Sequence, residues 1–145
     1  MPDKSDLAKK AMELEARADA DEKGKKPEAA EANFRKAGAT RDALAASYAG
    51  DGDHDIAATE YDQAAKDYGS AARLNQGEAK GREYEQNLQH QISELLKSAD
   101  ELRSANLPRS ADDRRNAAVK IKTDYDLTHP DSKLEITTTG ELKKT

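Results

Sequence analysis

Between positions 57 and 68, small and aromatic side chains alternate as Ala57, Tyr61, Ala64 and Tyr68. Steps of four, three and four residues place all of them on one face of an α-helix. A face built this way lets a second helix come close at the alanines. The rings fill the space that remains, with their hydroxyls free to reach water at the edge. Tyr48 ends the preceding helical run, and Gly50-Asp51-Gly52 follows it directly. A turn that short makes the two helices antiparallel neighbours.

The rest of the chain makes close approach a necessity. Hydrophobic residues are 35% of the 145, about half of them Ala, and aromatics are 4%. So little apolar surface, beside 37% charged residues, is the composition of a disordered chain. Two features oppose that outcome. The 24 basic and 29 acidic residues nearly balance, and the dominant residues (Ala, Glu, Lys, Arg and Leu) are the strongest helix formers. The expected fold class is therefore all-α: antiparallel helical hairpins, either repeat-like or a bundle of four to five helices, with a flexible C-terminal tail. The length suits one domain, expected over 1–126, with a long helix at 78–105 and the tail at 127–145.

Within that domain each helix has its own start and stop. Leu7, Ala11, Leu14 and Ala18 form a narrow stripe on a first helix that Gly24 ends. Pro27 suits the first position of the second helix, whose inner face holds Ala30, Phe34, Ala37, Leu44 and Tyr48. Gly38 within it implies a bend or a close helix contact. A third helix begins at Asp53, read as its cap. The fourth carries Leu88, Ile92, Leu95, Ala99 and Leu102, with Tyr84 a turn upstream, until Asn106-Leu107-Pro108 breaks it. Ser110 and Asp113 have the spacing of a capping box for the fifth, which turns Ala118, Ile121 and Tyr125 inward. Leu134, Ile136 and Thr138 alternate as in a strand, but no partner strand is evident from the sequence.

The central residues carry a family resemblance. Leu44, Ala45 and Tyr48, followed by Ala57, Tyr61 and Ala64, match in kind the positions of a tetratricopeptide repeat over a unit at about 38–71. The family's usual Trp is replaced by Arg41, and its closing Pro by Gly69. The stretch 53–68 is also similar to the repeats of soluble NSF attachment proteins. Ala30, Phe34 and Ala37 echo the second-helix triplet, but 27 residues upstream instead of the family's 34. The resemblance implies a groove that binds a protein partner. In the family's layout, Ala39, Asp42, Ala46 and Ala49 would line it.

Motifs for chemistry are weak. Asp51, Asp53, Asp55 and Asp62 have calcium-loop spacing, yet Ile56 occupies the place where such loops need Gly. An acidic helix start explains the same residues. His54, His90 and His129 have no metal-ligand spacing, and there is no Cys. Ser47, Ser70, Ser93 and Ser98 lie within helices, and Gly77 and Gly81 follow no strand. Arg103, Arg109, Arg114, Arg115, Lys120 and Lys122 make a locally basic stretch, but Asp112 and Asp113 oppose it and only Tyr125 interleaves. No catalytic residue, cofactor, metal or nucleic-acid partner is expected. Nor is a membrane span, since no run nears ~20 apolar residues. The N-terminus lacks a signal-like apolar stretch, so the expected location is cytoplasmic, with non-classical secretion compatible. The expected function is a non-enzymatic protein–protein interaction or scaffold module. The alternative is a structural, secretion or phage accessory protein whose helices assemble as a coiled-coil homo-oligomer.

Overall fold

A computed structural model describes residues 3–75, 81–129, 134–136 and 142–144. Five helices follow one another: α1 (Lys4–Lys23), α2 (Pro27–Gly50), α3 (His54–Leu74), α4 (Gly81–Ser104) and α5 (Pro108–Thr128). Each packs antiparallel against the next, as a bundle-like stack of neighbours. The expected start of the fourth helix, at 78–80, lies outside the described residues. Helix α5 runs to Thr128, two residues past the expected domain edge. Beyond it, β1 (Leu134–Ile136) pairs antiparallel with β2 (Leu142–Lys144), Glu135 opposite Lys143. The partner strand missing from the sequence reading is thus a three-residue segment with no alternating apolar pattern to mark it.

Three helix–helix turns share one backbone design. In Gly24-Lys25-Lys26, Asp51-Gly52-Asp53 and Ala105-Asn106-Leu107 the middle residue is left-handed, at φ 59°, 82° and 63°. The third residue donates its amide to a carbonyl five residues back: Lys26 to Asp21 (2.8 Å), Asp53 to Tyr48 (3.0 Å) and Leu107 to Leu102 (2.8 Å). This is the Schellman closure, which satisfies carbonyls left over at a helix end. Lys25 and Gly52 lie 27 positions apart, and Asn106 twice as far again. One helix with its turn is therefore the structural period, whereas a tetratricopeptide repeat takes 34 residues for two helices.

Two expectations about helix starts are corrected here. No side chain caps α3 or α5; Asp53 and Leu107 occupy those N-cap positions without a side-chain hydrogen bond. Pro108 begins α5, so Ser110 already lies inside the first turn and the capping box does not form. A proline at the first position loses no intrahelical donor, and it prevails over the Ser three residues later. Gly24 ends α1 as its C-cap, and the left-handed position falls on the following Lys25. Asp3 does cap α1, accepting from the Asp6 amide at 2.8 Å.

The expected stripes turn inward, with Leu7, Tyr48, Tyr84, Leu95 and Ile121 half-buried. Ala11, Leu14 and Ala18 pack inward from α1, and Ala18 meets Phe34 and Ala71. Tyr61 packs with Ala45 and Ala57, and Tyr48 and Ala49 lie against that cluster. Ile92 and Leu96 meet Ala118, while Leu88 and Ala72 meet Tyr125. Leu96, which the sequence reading left off the stripe, is among the most buried residues of α4.

Gly38 marks the closest approach. A Cβ there would sit 2.7 Å from Cε2 of Tyr68, whose ring is buried and stacks on His90 at 4.6 Å. The glycine is a close contact, not a bend. Ala would gain about 1 kcal/mol of helix propensity, but overpacking a fixed ring costs about 1–3 kcal/mol. Gly38→Ala should lower the urea midpoint, whereas Gly50→Ala, where a Cβ meets nothing within 4 Å, should leave it unchanged or raise it.

Candidate functional site

Helices two apart in the chain are joined mostly by polar side chains. Arg41 of α2 reaches between α1 and α3, donating to both Glu15 oxygens (3.1 and 2.7 Å) and to Glu60 (2.9 Å). Gln63 of α3 adds a bond to Glu15 at 3.2 Å, and Arg73 holds Glu22 by two bonds of 2.5 and 3.0 Å. On the other side, Lys97 of α4 pairs with Asp42 of α2 at 2.8 Å. Asn87 of α4 donates to Glu31 and to Asn75, at 2.8 and 2.7 Å. Arg114 of α5 reaches Asp62 of α3 at 3.0 Å.

Between α1 and α3 these bridges frame a groove of about 380 Å³. Glu15, Asp19 and Glu22 form one wall, and Gln63, Lys66, Asp67, Ser70 and Arg73 the other, with Phe34 of α2 below. Asp67 is 3% exposed, and its Oδ2 is buried with no donor in reach. Its neighbour is another acceptor, the Glu15 carboxyl. Burial, followed by that hydrogen bond and the repulsion from Glu15, raises the Asp67 carboxyl far above the carboxylate range. Burial also acts on Glu15, but the bonds from Arg41 and Asp67 outweigh it and hold Glu15 below its ordinary value. The two acids titrate as a pair, with Glu15 pushed down and Asp67 pushed up.

A second acid pair has the same construction. Glu94 of α4 is 3% exposed, and its Oε2 lacks a donor. Burial, then the hydrogen bond with Asp42, pushes its carboxyl up to about 9. Lys97 stands 3.6 Å from the other Glu94 oxygen. Glu15 and Asp42 lie 27 positions apart, as do Asp67 and Glu94. The helical period thus repeats the acid pair one helix further along, the first beside an Arg and the second beside a Lys.

The residues expected to line a groove lie elsewhere on α2. Ala39 and Ala46 are exposed, Asp42 is engaged with α4, and Ala49 packs partly against the Tyr61 cluster. None of them lines the α1–α3 groove. Sequence reasoning missed Glu15, Glu22, Phe34, Asp67 and Arg73 as a group, because their partners are up to 52 positions apart. The signal available was the 27-residue echo itself.

Other candidate chemistry is taken up structurally. Asp51 pairs with Lys4, and Asp55 turns back to the Ile56 amide at 2.9 Å, so the aspartates of the turn do not converge. Among the described residues no group of three or more His, Asp or Glu could hold a metal ion. His54 pairs with Glu101 at 2.6 Å. In the basic stretch, Arg103, Lys120 and Lys122 pair with Asp100, Asp124 and Asp126. No described helix is long and apolar enough to cross a membrane. Compared with family models, curated proteins and solved structures, the chain matches none.

The acid pairs set the sign of the pH dependence. Asp67 and Glu94 hold protons in the folded chain that they release near pH 4 when unfolded. Between that value and about 9 the folded state binds more protons, so stability falls as pH rises. Glu15 and Glu22 act oppositely, and their contribution is lost only below about pH 4. The melting temperature should fall by on the order of 5–10 °C from pH 5.5 to pH 8. Asp67→Asn with Glu94→Gln should remove most of that slope, as followed by circular dichroism.

Proposed function

We propose that this chain is a non-enzymatic protein–protein interaction module that presents a helical groove to a partner. The observation that carries this reading is the α1–α3 groove. It has a Phe34 floor, polar walls on two parallel helices and bridges holding the walls together. A volume of about 380 Å³ suits one or two inserted side chains. The walls belong to rigid helices, so little ordering entropy is lost on binding. Ala57, Tyr61 and Ala64 are buried in the α2–α3 hairpin, which keeps the helices that flank the groove closely packed. In this reading the partner would use the α1–α3 side, not the face that the tetratricopeptide family's layout implies.

Assembly as a coiled-coil oligomer has less support. The stripes that would form its seams, Ala11, Leu14 and Ala18 in α1 and Leu88, Ile92 and Ala99 in α4, are already covered within the chain.

A photoreactive azidophenylalanine at Ser70, on the groove wall, should give discrete protein adducts in the native host. The same group at exposed Ala43 of α2 should not. Equal labelling from the two positions would remove the groove as the interaction surface.

A further inference from the structure

Most charges around the α1–α3 groove are internally matched. Arg41 is balanced by Glu15 and Glu60, and Arg73 by Glu22. Asp19 and Lys66 stand at the rim, exposed and without an ion-pair partner among the described residues. The exception is internal: Asp67 is among the lining residues, and its Oδ2 is buried just behind the groove surface without a donor, beside the carboxyl of Glu15. A buried acceptor of this kind costs free energy unless a donor reaches it. In the free chain a proton fills that role. A positively charged head group with several donors would fill it better, because it neutralises both carboxylates and satisfies more than one lone pair.

We propose that the α1–α3 groove receives a basic side chain of a partner polypeptide, a lysine or arginine whose head group replaces the proton between Glu15 and Asp67. This rests on the binding-module reading and names the chemistry of its partner. The aliphatic stem of such a side chain lies along the Phe34 floor, and at the rim the charges of Asp19 and Lys66 offset each other, so selection falls to the acid pair. An anionic or purely apolar group would leave Asp67 with its proton.

Exchange of a proton for a cation makes binding pH-linked. The groups facing the pair are Asp19 and Glu22 from α1, Arg41 from α2, and Glu60, Lys66 and Arg73 from α3. Arg73 holds Glu22 below its ordinary value, and Glu15 and Glu22 hold Arg41 and Arg73 above theirs, which keeps these three charged between pH 6 and 8. The proton leaving Asp67 for the buffer is therefore the one that affinity records in that range. One proton released corresponds to about tenfold tighter binding per pH unit.

The test is an amide NMR titration of the full chain with N-acetyl-lysine N-methylamide, with its arginine counterpart, and with the uncharged norleucine counterpart. The basic probes should shift amides around Asp19, Gln63 and Ser70. Their dissociation constant should fall about tenfold from pH 6.5 to 7.5. Asp67→Asn keeps the shape but has no proton to exchange, so it should abolish the pH dependence. Ser70→Trp fills the groove while leaving both acids in the sequence and should abolish binding, with the fold checked by circular dichroism. An equal response to the norleucine probe, a pH-independent constant in the unaltered chain, or binding that survives Ser70→Trp would each overturn the proposal. Groove-specific photo-adducts from Ser70 together with no response to the basic probes would overturn it while leaving the binding-module reading standing.

Discussion

Close approach of alanine-lined helices is the constraint on which the rest of this structure depends. With few Leu, Ile, Val or Phe, the chain cannot fill a wide core, so neighbouring helices meet at Ala45 and Ala57 or at Ala58 and Ala99. At the tightest point, Gly38 leaves room for the Tyr68 ring. Alanine contributes little transfer free energy per residue. Its value lies in geometry, since it lets scarce Tyr and Leu side chains touch several helices at once. A thin core is thickest between neighbours and reaches the helix after next only at a few contacts, such as Ala18 with Ala71 and Ala72 with Tyr125. Beyond those contacts the polar bridges take over.

The bridges have an electrostatic cost that apolar packing would not have. A buried carboxyl pair either binds a proton or repels itself, and a single cation offsets only part of that. Asp67 and Glu94 are each 3% exposed and each sit against a second carboxyl. Replacing such groups by apolar residues is often neutral or stabilising. What the charged groups add is direction: Arg41 joins α1 and α3 through three donor bonds that a Leu could not make. Arg41 and Asp42 are consecutive, about 100° apart around α2. One therefore faces α1 and α3, and the other faces α4.

Local patterns in the sequence exposed the helices, and long-range pairing stayed hidden. The stripes of α1, α2 and α3 could be read from three- and four-residue spacing, and Pro27 and the Gly52 turn gave true boundaries. Lys25 and Asn106 in left-handed turns were less visible, since neither residue type requires that conformation. At Ser110 two local rules conflicted, and the proline at position 108 prevailed. The groove was not legible, because Glu15 and Asp67 are ordinary charged residues on separate helices and acquire a role only after packing. The family resemblance drew attention to a 34-residue period, while Ala30, Phe34 and Ala37 already marked one of 27.

That shorter period explains why the acid pairs come in a series. When each helix plus turn has the same length, a side chain at one position has its counterpart equally far from the start of the next helix. Glu15 and Asp42 are such counterparts, as are Asp67 and Glu94, and both pairs form between alternate helices. Their surroundings then diverge. Glu94 lies under Lys97, whose ammonium also sits 5.8 Å from the Tyr61 ring, so the cation for the second pair is built in. The cation of the first, Arg41, is already divided between Glu15 and Glu60 and leaves Asp67 to a proton. The groove opens beside the pair whose cation, Arg41, is shared with a third carboxylate. It is that asymmetry between two otherwise equivalent positions, more than the groove's volume, that gives the α1–α3 face its chemical character.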